Sequence, residues 1–288
     1  MPELSITRQS ILYKLNMIAF VLHLILAIVT GTVGNIHLSP PIYNTKVTFT
    51  YNSSDTGFYL DPYYVSYGGY PITALTLVFF VITAFFHLAN ATFLNDIYIS
   101  SLELCFTPTR WIEYFITASL MSCTIAYLTG ARSVLVIVGV CGLIASTMLF
   151  GFMSELYNRP MENVDAWERT TFLKRSIPHF LGYVPYMFAW FIILYSFFGG
   201  GGTCAAPAWV WIIIMGQFIQ FSLFAIPQLY QLKNPPSKFV RGEYIFIFLS
   251  FFAKATLGIN LLAGGITLEN FDAGVIDSNT TCDVVDLA

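Results

Sequence analysis

Seven long apolar stretches, at residues 11–33, 71–94, 109–129, 133–155, 178–198, 208–228 and 244–266, constrain this chain more than any other feature. Each is long enough for a helix to cross a bilayer, which takes about 20 residues. Lipid offers backbone amides no partner, so such segments fold as helices. Seven of them separated by polar breaks predict an all-α membrane protein: a seven-helix transmembrane bundle, one domain over residues 1–288. The charge content agrees. Only 10% of residues are charged, against about 25% in soluble domains. Thirteen Lys and Arg against sixteen Asp and Glu leave no basic surplus for nucleic acid. The five cysteines form no Cys-x-x-Cys pair, so no thiolate metal centre is expected. The first stretch is too long for the apolar core of a signal peptide.

Orientation follows from the excess of Lys and Arg in cytoplasmic loops. With the N-terminus inside, Arg8, Lys14, Arg110, Arg159, Arg169, Lys174, Arg175, Lys233, Lys238 and Arg241 lie on the cytoplasmic side. Lys46 and Arg132 then lie outside, and Lys254 within a span. The reverse orientation inverts that bias, so the N-terminus is expected inside and the C-terminus outside, with residues 267–288 as an extracellular tail. The sequons at Asn52 and Asn279 both fall outside on this reading; a third, at Asn90, lies in a span and reads as chance. Cys204 and Cys282 are also outside, either as a disulfide or as two unrelated thiols. Cys123 and Cys141 read as packing residues in spans, and Cys105 as cytoplasmic.

The longest loop, residues 35–69, alternates over 46–51, turns at 52–57 and returns at 58–60. That pattern predicts an extracellular β-hairpin. Two strands alone are marginal in water, so the hairpin must pack on the bundle or on a second copy of itself.

Lys254 lies near the middle of the seventh span. A lysine at the bilayer centre costs about 2.5–3.5 kcal/mol on insertion scales. A buried neutral amine is a nucleophile toward aldehydes; the alternative is a lysine held by a carboxylate as helix glue. Glu113 is the one carboxylate read as clearly within a span, with Glu155 placed at the cytoplasmic surface. Glu113 is either the counter-charge of Lys254 or an interfacial residue. Helical side chains lean toward the helix N-terminus, which carries Lys254 toward Glu113. His23 in span one, Thr83 and His87 on one face of span two, and Ser250 one turn before Lys254 fall in the same half; Gln217 and Gln220 lie mid-span in the sixth helix. His37 and His179 lie near span ends and read as surface residues. The outer halves of spans one, two, three and seven hold no comparable ionisable group.

The segments Arg110-Trp-Ile-Glu-Tyr-Phe-Ile-Thr-Ala-Ser119 and Ser250-Phe-Phe-Ala-Lys254 resemble those of heliorhodopsins. The resemblance extends over all seven spans, the inverted topology and the hairpin loop. It implies retinal, all-trans in the dark, on Lys254 as a protonated Schiff base, with Glu113 as counterion and Ser250 hydrogen-bonded nearby. It implies that His23, His87 and Thr83 form a polar cavity, and that Tyr114, Thr117, Met121, Trp190, Gln217 and Phe221 belong to the chromophore site. It further implies a homodimer with the hairpin at its interface, isomerisation to 13-cis, a slow photocycle and signalling rather than pumping, although some viral members conduct protons. A polyene of this size needs a long apolar slot, for which Tyr186, Trp190, Phe191, Phe218 and Phe221 are candidate walls or else ordinary packing. The sixth span reads Leu223-Phe-Ala-Ile-Pro227, not the Trp-x-x-Tyr-Pro of ion-pumping rhodopsins.

Three functions compete: a non-enzymatic light sensor, a light-gated proton channel on the same scaffold, and a proton-coupled transporter using Lys254 and Glu113. The transporter requires no visible absorption and usually has paired repeats, which the chain lacks. Residues 156–176 and 231–243 are candidate surfaces for a cytoplasmic signalling partner, or merely anchors of topology.

Overall fold

A computed structural model of the chain describes residues 4–52, 57–160, 168, 170–199, 206 and 208–272, of which 52 and 265–272 by backbone only. Cys204, Cys282, Asn279 and most of the expected tail lie outside the described residues.

The described chain has seven helical segments long and apolar enough to cross a membrane. Its helices are α1 (Ile6–Val33), α2 (Ile72–Ala91), α3 (Asn95–Glu103), α4 (Pro108–Leu128), α5 (Val134–Asn158), α6 (Phe172–Gly199), α7 (Ala208–Leu223), α8 (Ala225–Lys233) and α9 (Phe239–Asp272). Several ends have local causes. Pro108 opens α4 at the first helical position, where its missing N–H costs nothing. Gly130, at φ +100°, turns the chain between α4 and α5. The sixth span breaks at Phe224 into α7 and α8. Pro227 lies three residues beyond, and it has no N–H to continue the ladder across the break.

The spans follow one another around a ring, with α1 against α2, α2 against α4, α4 against α5, α5 against α6, and α9 closing onto α7 and α1. α4 is the most enclosed, with 72% of its apolar window buried against 17% for α5. That difference follows from α4 carrying Arg110, Glu113, Thr117, Ser122 and Thr124, all buried, which lipid would not solvate. The main apolar core, including Phe79, Phe80, Ile125, Ile144, Trp190 and Leu257, fills the bundle. Outside it, Val138, Phe188, Phe191, Tyr195 and Phe248 face outward, as a lipid-facing surface requires.

The hairpin is longer than expected. β1 (Pro41–Asn52) pairs antiparallel with β2 (Gly57–Gly69), with Lys46 opposite Tyr63 and Phe49 opposite Leu60. Its base is tied to the bundle: Tyr43 N donates to Arg132 O at 2.9 Å, and Tyr127 Oη to Pro41 O at 3.2 Å. Beyond the base its aromatics stay uncovered, with Phe49 and Tyr64 each 77% exposed.

Candidate functional site

The helix ends opposite the hairpin, here the N-terminal side, hold the polar interior. Lys254 on α9 and Glu113 on α4 meet there: Nζ donates to Glu113 Oε1 at 2.5 Å and to Ser250 Oγ at 2.7 Å. Both partners of the ion pair are buried, with side chains 4% and 5% exposed. Thr83 Oγ1 donates to the same Glu113 Oε1 at 2.8 Å, and Thr117 Oγ1 reaches it at 3.3 Å. Isolated buried charges are expensive, and this carboxylate is paired and hydrogen-bonded.

Beyond this pair, on the α1–α2 side, His23 and His87 stack with ring centroids 5.6 Å apart. His87 Nδ1 meets Asn16 Oδ1 at 2.8 Å, and Asn16 Nδ2 donates to Leu12 O at 3.0 Å. Asn16 was not anticipated from sequence. Its signal is a polar residue about two helical turns ahead of His23, on the buried face of α1.

On the other side of Lys254 lies a cavity of about 840 Å³, its open mouth included. Its walls include Tyr114, Thr117, Met121, Tyr186, Phe221, Phe224, Ser250 and Lys254. An apolar, aromatic slot with one amine in its wall fits a polyene aldehyde. Gly151 lets the Trp111 ring pack directly on α5 in this wall, since a Cβ there would lie 2.2 Å from that ring. Gly151→Ala is therefore expected to cost about 1–3 kcal/mol, and a lower melting temperature would register it.

Several sequence expectations need correction. Phe191 is no wall: it is 63% exposed on the outer face of α6. Trp190 and Phe218 sit behind the wall, with Trp190 6.0 Å from the Phe221 ring and 5.2 Å from Phe218. Gln217 also lies behind it, donating to Ala253 O at 3.1 Å and to Gln220 Oε1 at 3.0 Å. His179 is not a surface residue; it is buried and lines the cavity.

Arg110 and Glu155 are not surface charges either. Arg110 is buried between Glu155 and Glu243, bonding one with each end of its guanidinium. The guanidinium also lies 3.9 Å from the Phe246 ring centroid. Thr107 N donates to Glu155 at 2.8 Å and Tyr98 Oη to Glu243 at 3.0 Å. Burial pushes the Tyr98 hydroxyl above its ordinary pKa, so it remains a donor. The surface proposed at 231–243 loses Gln231, Leu232, Phe239, Val240 and Glu243 to the interior. Lys254 and Glu113 are thus not the chain's only buried charges.

A family model described as Heliorhodopsin matches residues 12–266. The chain belongs to the heliorhodopsin family. No curated protein sequence matches it. Among solved structures it is similar to the thermophilic rhodopsin of Rubrobacter xylanophilus, at 16% identity and TM-score 0.61 over 91% of this chain and 100% of that one. Xanthorhodopsin, a light-driven ion pump with a dual chromophore, is similar at 10% identity and TM-score 0.62, over 95% and 99% of the two chains. A light-driven proton pump from Leptosphaeria maculans is similar at 10% identity and TM-score 0.52, over 93% and 98%. Identities this low speak for the fold alone. With the family match, this heliorhodopsin is a multi-pass membrane protein of the retinal photoreceptor type.

Proposed function

We propose that this heliorhodopsin is a light sensor that holds all-trans retinal on Lys254 in the dark and does not pump ions. The observation that carries the reading is the buried Lys254 Nζ in the wall of the aromatic cavity, 2.5 Å from Glu113. Retinal, when bound there as a protonated Schiff base, supplies visible absorption and an all-trans to 13-cis isomerisation. The chain's own residues do the rest. Glu113 balances the positive charge at Nζ, and the Thr83 and Thr117 hydroxyls hold its carboxylate in position. Ser250 accepts a hydrogen bond from Nζ. Tyr114, Met121 and Phe221 keep bulk water from the amine, with Trp190 and Gln217 supporting them from behind. His23 and His87 form a buried polar region beside the pair, on the α1–α2 side.

The absence of pumping is supported by the one-sided distribution of these groups and by Leu223-Phe-Ala-Ile-Pro227 in the sixth span. The basic residues support an N-terminus inside and a C-terminus outside; we read residues 1–288 as a single, non-enzymatic domain. The uncovered aromatics of the hairpin support a homodimer built through it. A signalling partner would then meet the N-terminal side.

The linked polar groups Thr83–Glu113 and His87–Asn16 favour one second reading, a light-gated proton channel. Photocurrents recorded across a range of voltages separate the two. The sensor gives none, whereas a current reversing near the proton equilibrium potential establishes the channel.

A further inference from the structure

Two polar limbs leave the Lys254–Glu113 pair toward the N-terminal side, and they differ in one physical respect. The limb through His87 runs over buried side chains. His23 is 0% exposed and packs edge-on against Phe251, and Asn16, 1% exposed, leads on to the buried Tyr98. The other limb is hollow. The cavity beside Lys254 extends to His179 and Gln228. A second cavity, of about 390 Å³ with its mouth included, begins at Gln228 and runs past Glu155 and Arg175 to Asn158, Asn234 and Pro236. Those last three residues are half-buried, so this cavity reaches the surface. Among the described residues Gln228 alone lines both.

Three buried polar atoms along this route have no hydrogen-bond partner among the described residues, namely His179 Nε2, Gln231 Oε1 and Asn158 Oδ1; His23 Nε2 and His87 Nε2 on the other limb also lack one, so it is the cavities that set the two limbs apart. Buried polar atoms beside a polar cavity are where ordered water sits. Gln228 itself is weakly held, its Nε2 donating to Gly151 O at 3.4 Å. It stands on α8, a nine-residue helix separated from α7 by the break at Phe224. Phe224 lines the first cavity, so a displacement there reaches Gln228 through one turn of helix.

We propose that Gln228 gates a water passage from Lys254 to the N-terminal-side surface beside Glu155 and Arg175. This passage, not the histidine limb, admits protons and small polar solutes to Nζ. The proposal rests on the retinal reading above, because its probes report on an imine at Nζ.

The test uses the full-length protein carrying retinal, with hydroxylamine as the probe. Hydroxylamine adds through nitrogen to the imine carbon; Lys254 Nζ leaves as the free amine, and colour is lost as the oxime forms. Gln228→Ala should speed bleaching about tenfold, and the apolar Gln228→Leu should slow it about tenfold. The proton return after a flash, followed by absorption, should change in the same directions. Asn16→Leu, which interrupts the histidine limb beyond His87, should leave the bleaching rate within about twofold of wild type. Bleaching and proton return unchanged in both coloured Gln228 variants would overturn the gate, as would slowing by Asn16→Leu alone. A wild type that never colours with retinal would instead overturn the retinal reading.

Discussion

Lys254→Ala is expected to abolish the visible band that forms when the wild-type protein is supplied with all-trans retinal. Among the described residues Nζ is the only amine in the cavity wall, and no other side chain lining it can condense with an aldehyde. The substitution also strands the buried Glu113 carboxylate, whose side chain is 5% exposed. Breaking a buried pair by removing one partner costs about 3–5 kcal/mol, so Lys254→Ala is expected to melt earlier as well. The double variant Lys254→Ala/Glu113→Gln removes both charges; it should regain much of the stability and still stay colourless. Absorption spectra and melting curves of the two variants therefore separate lost chemistry from lost folding. A colourless wild type, or a coloured Lys254→Ala, contradicts the assignment.

Glu113→Gln is expected to retain retinal but change its colour. The glutamine keeps the shape and a hydrogen-bonding oxygen for Thr83, yet leaves the cation at Nζ without a counter-charge. The low-dielectric interior makes that loss worth about 3–5 kcal/mol. At neutral pH the pigment should shift largely to the short-wavelength form whose nitrogen carries no proton. Glu113→Asp retains the charge and should keep most of the visible band. A spectrum taken across a pH series is the measurement; a Glu113→Gln pigment indistinguishable from wild type would assign the counter-charge to another group.

The spans were legible because lipid imposes one requirement, length in apolar residues, which hydropathy reads directly. Their ends were less so. α1 begins at Ile6 and α9 at Phe239, both five residues ahead of the apolar stretches, because a helix continues through polar flanks wherever water or protein meets its edges. α3, nine residues long and rich in polar side chains, carries no span signal at all. The hairpin was legible as a hairpin, but its strands extend through Pro62 and Gly68, residues that break sequence patterns more readily than they break an edge ladder.

The site divides along the same line. Lys254, Glu113 and Ser250 stood out because a charge in a span needs a reason, and a lysine's lean along its helix pointed to the partner. The walls did not stand out. Trp190 and Phe191 are neighbours in sequence, but one residue turns a helix by about 100°. Trp190 is 1% exposed and Phe191 63%. Arg110, Glu155 and Glu243 each look like a charge at the end of a span. They form one buried cluster only because the ends of α4, α5 and α9 converge.

The sequence by itself determined the class of the molecule, the number of its spans and the two charges that demand an explanation, since each follows from the cost of placing particular groups in lipid. Tertiary structure alone decided which charges are interior, which aromatics face the slot and which of the two polar limbs is hollow. Those depend on how seven helices are rotated and packed against one another, and no local pattern records that.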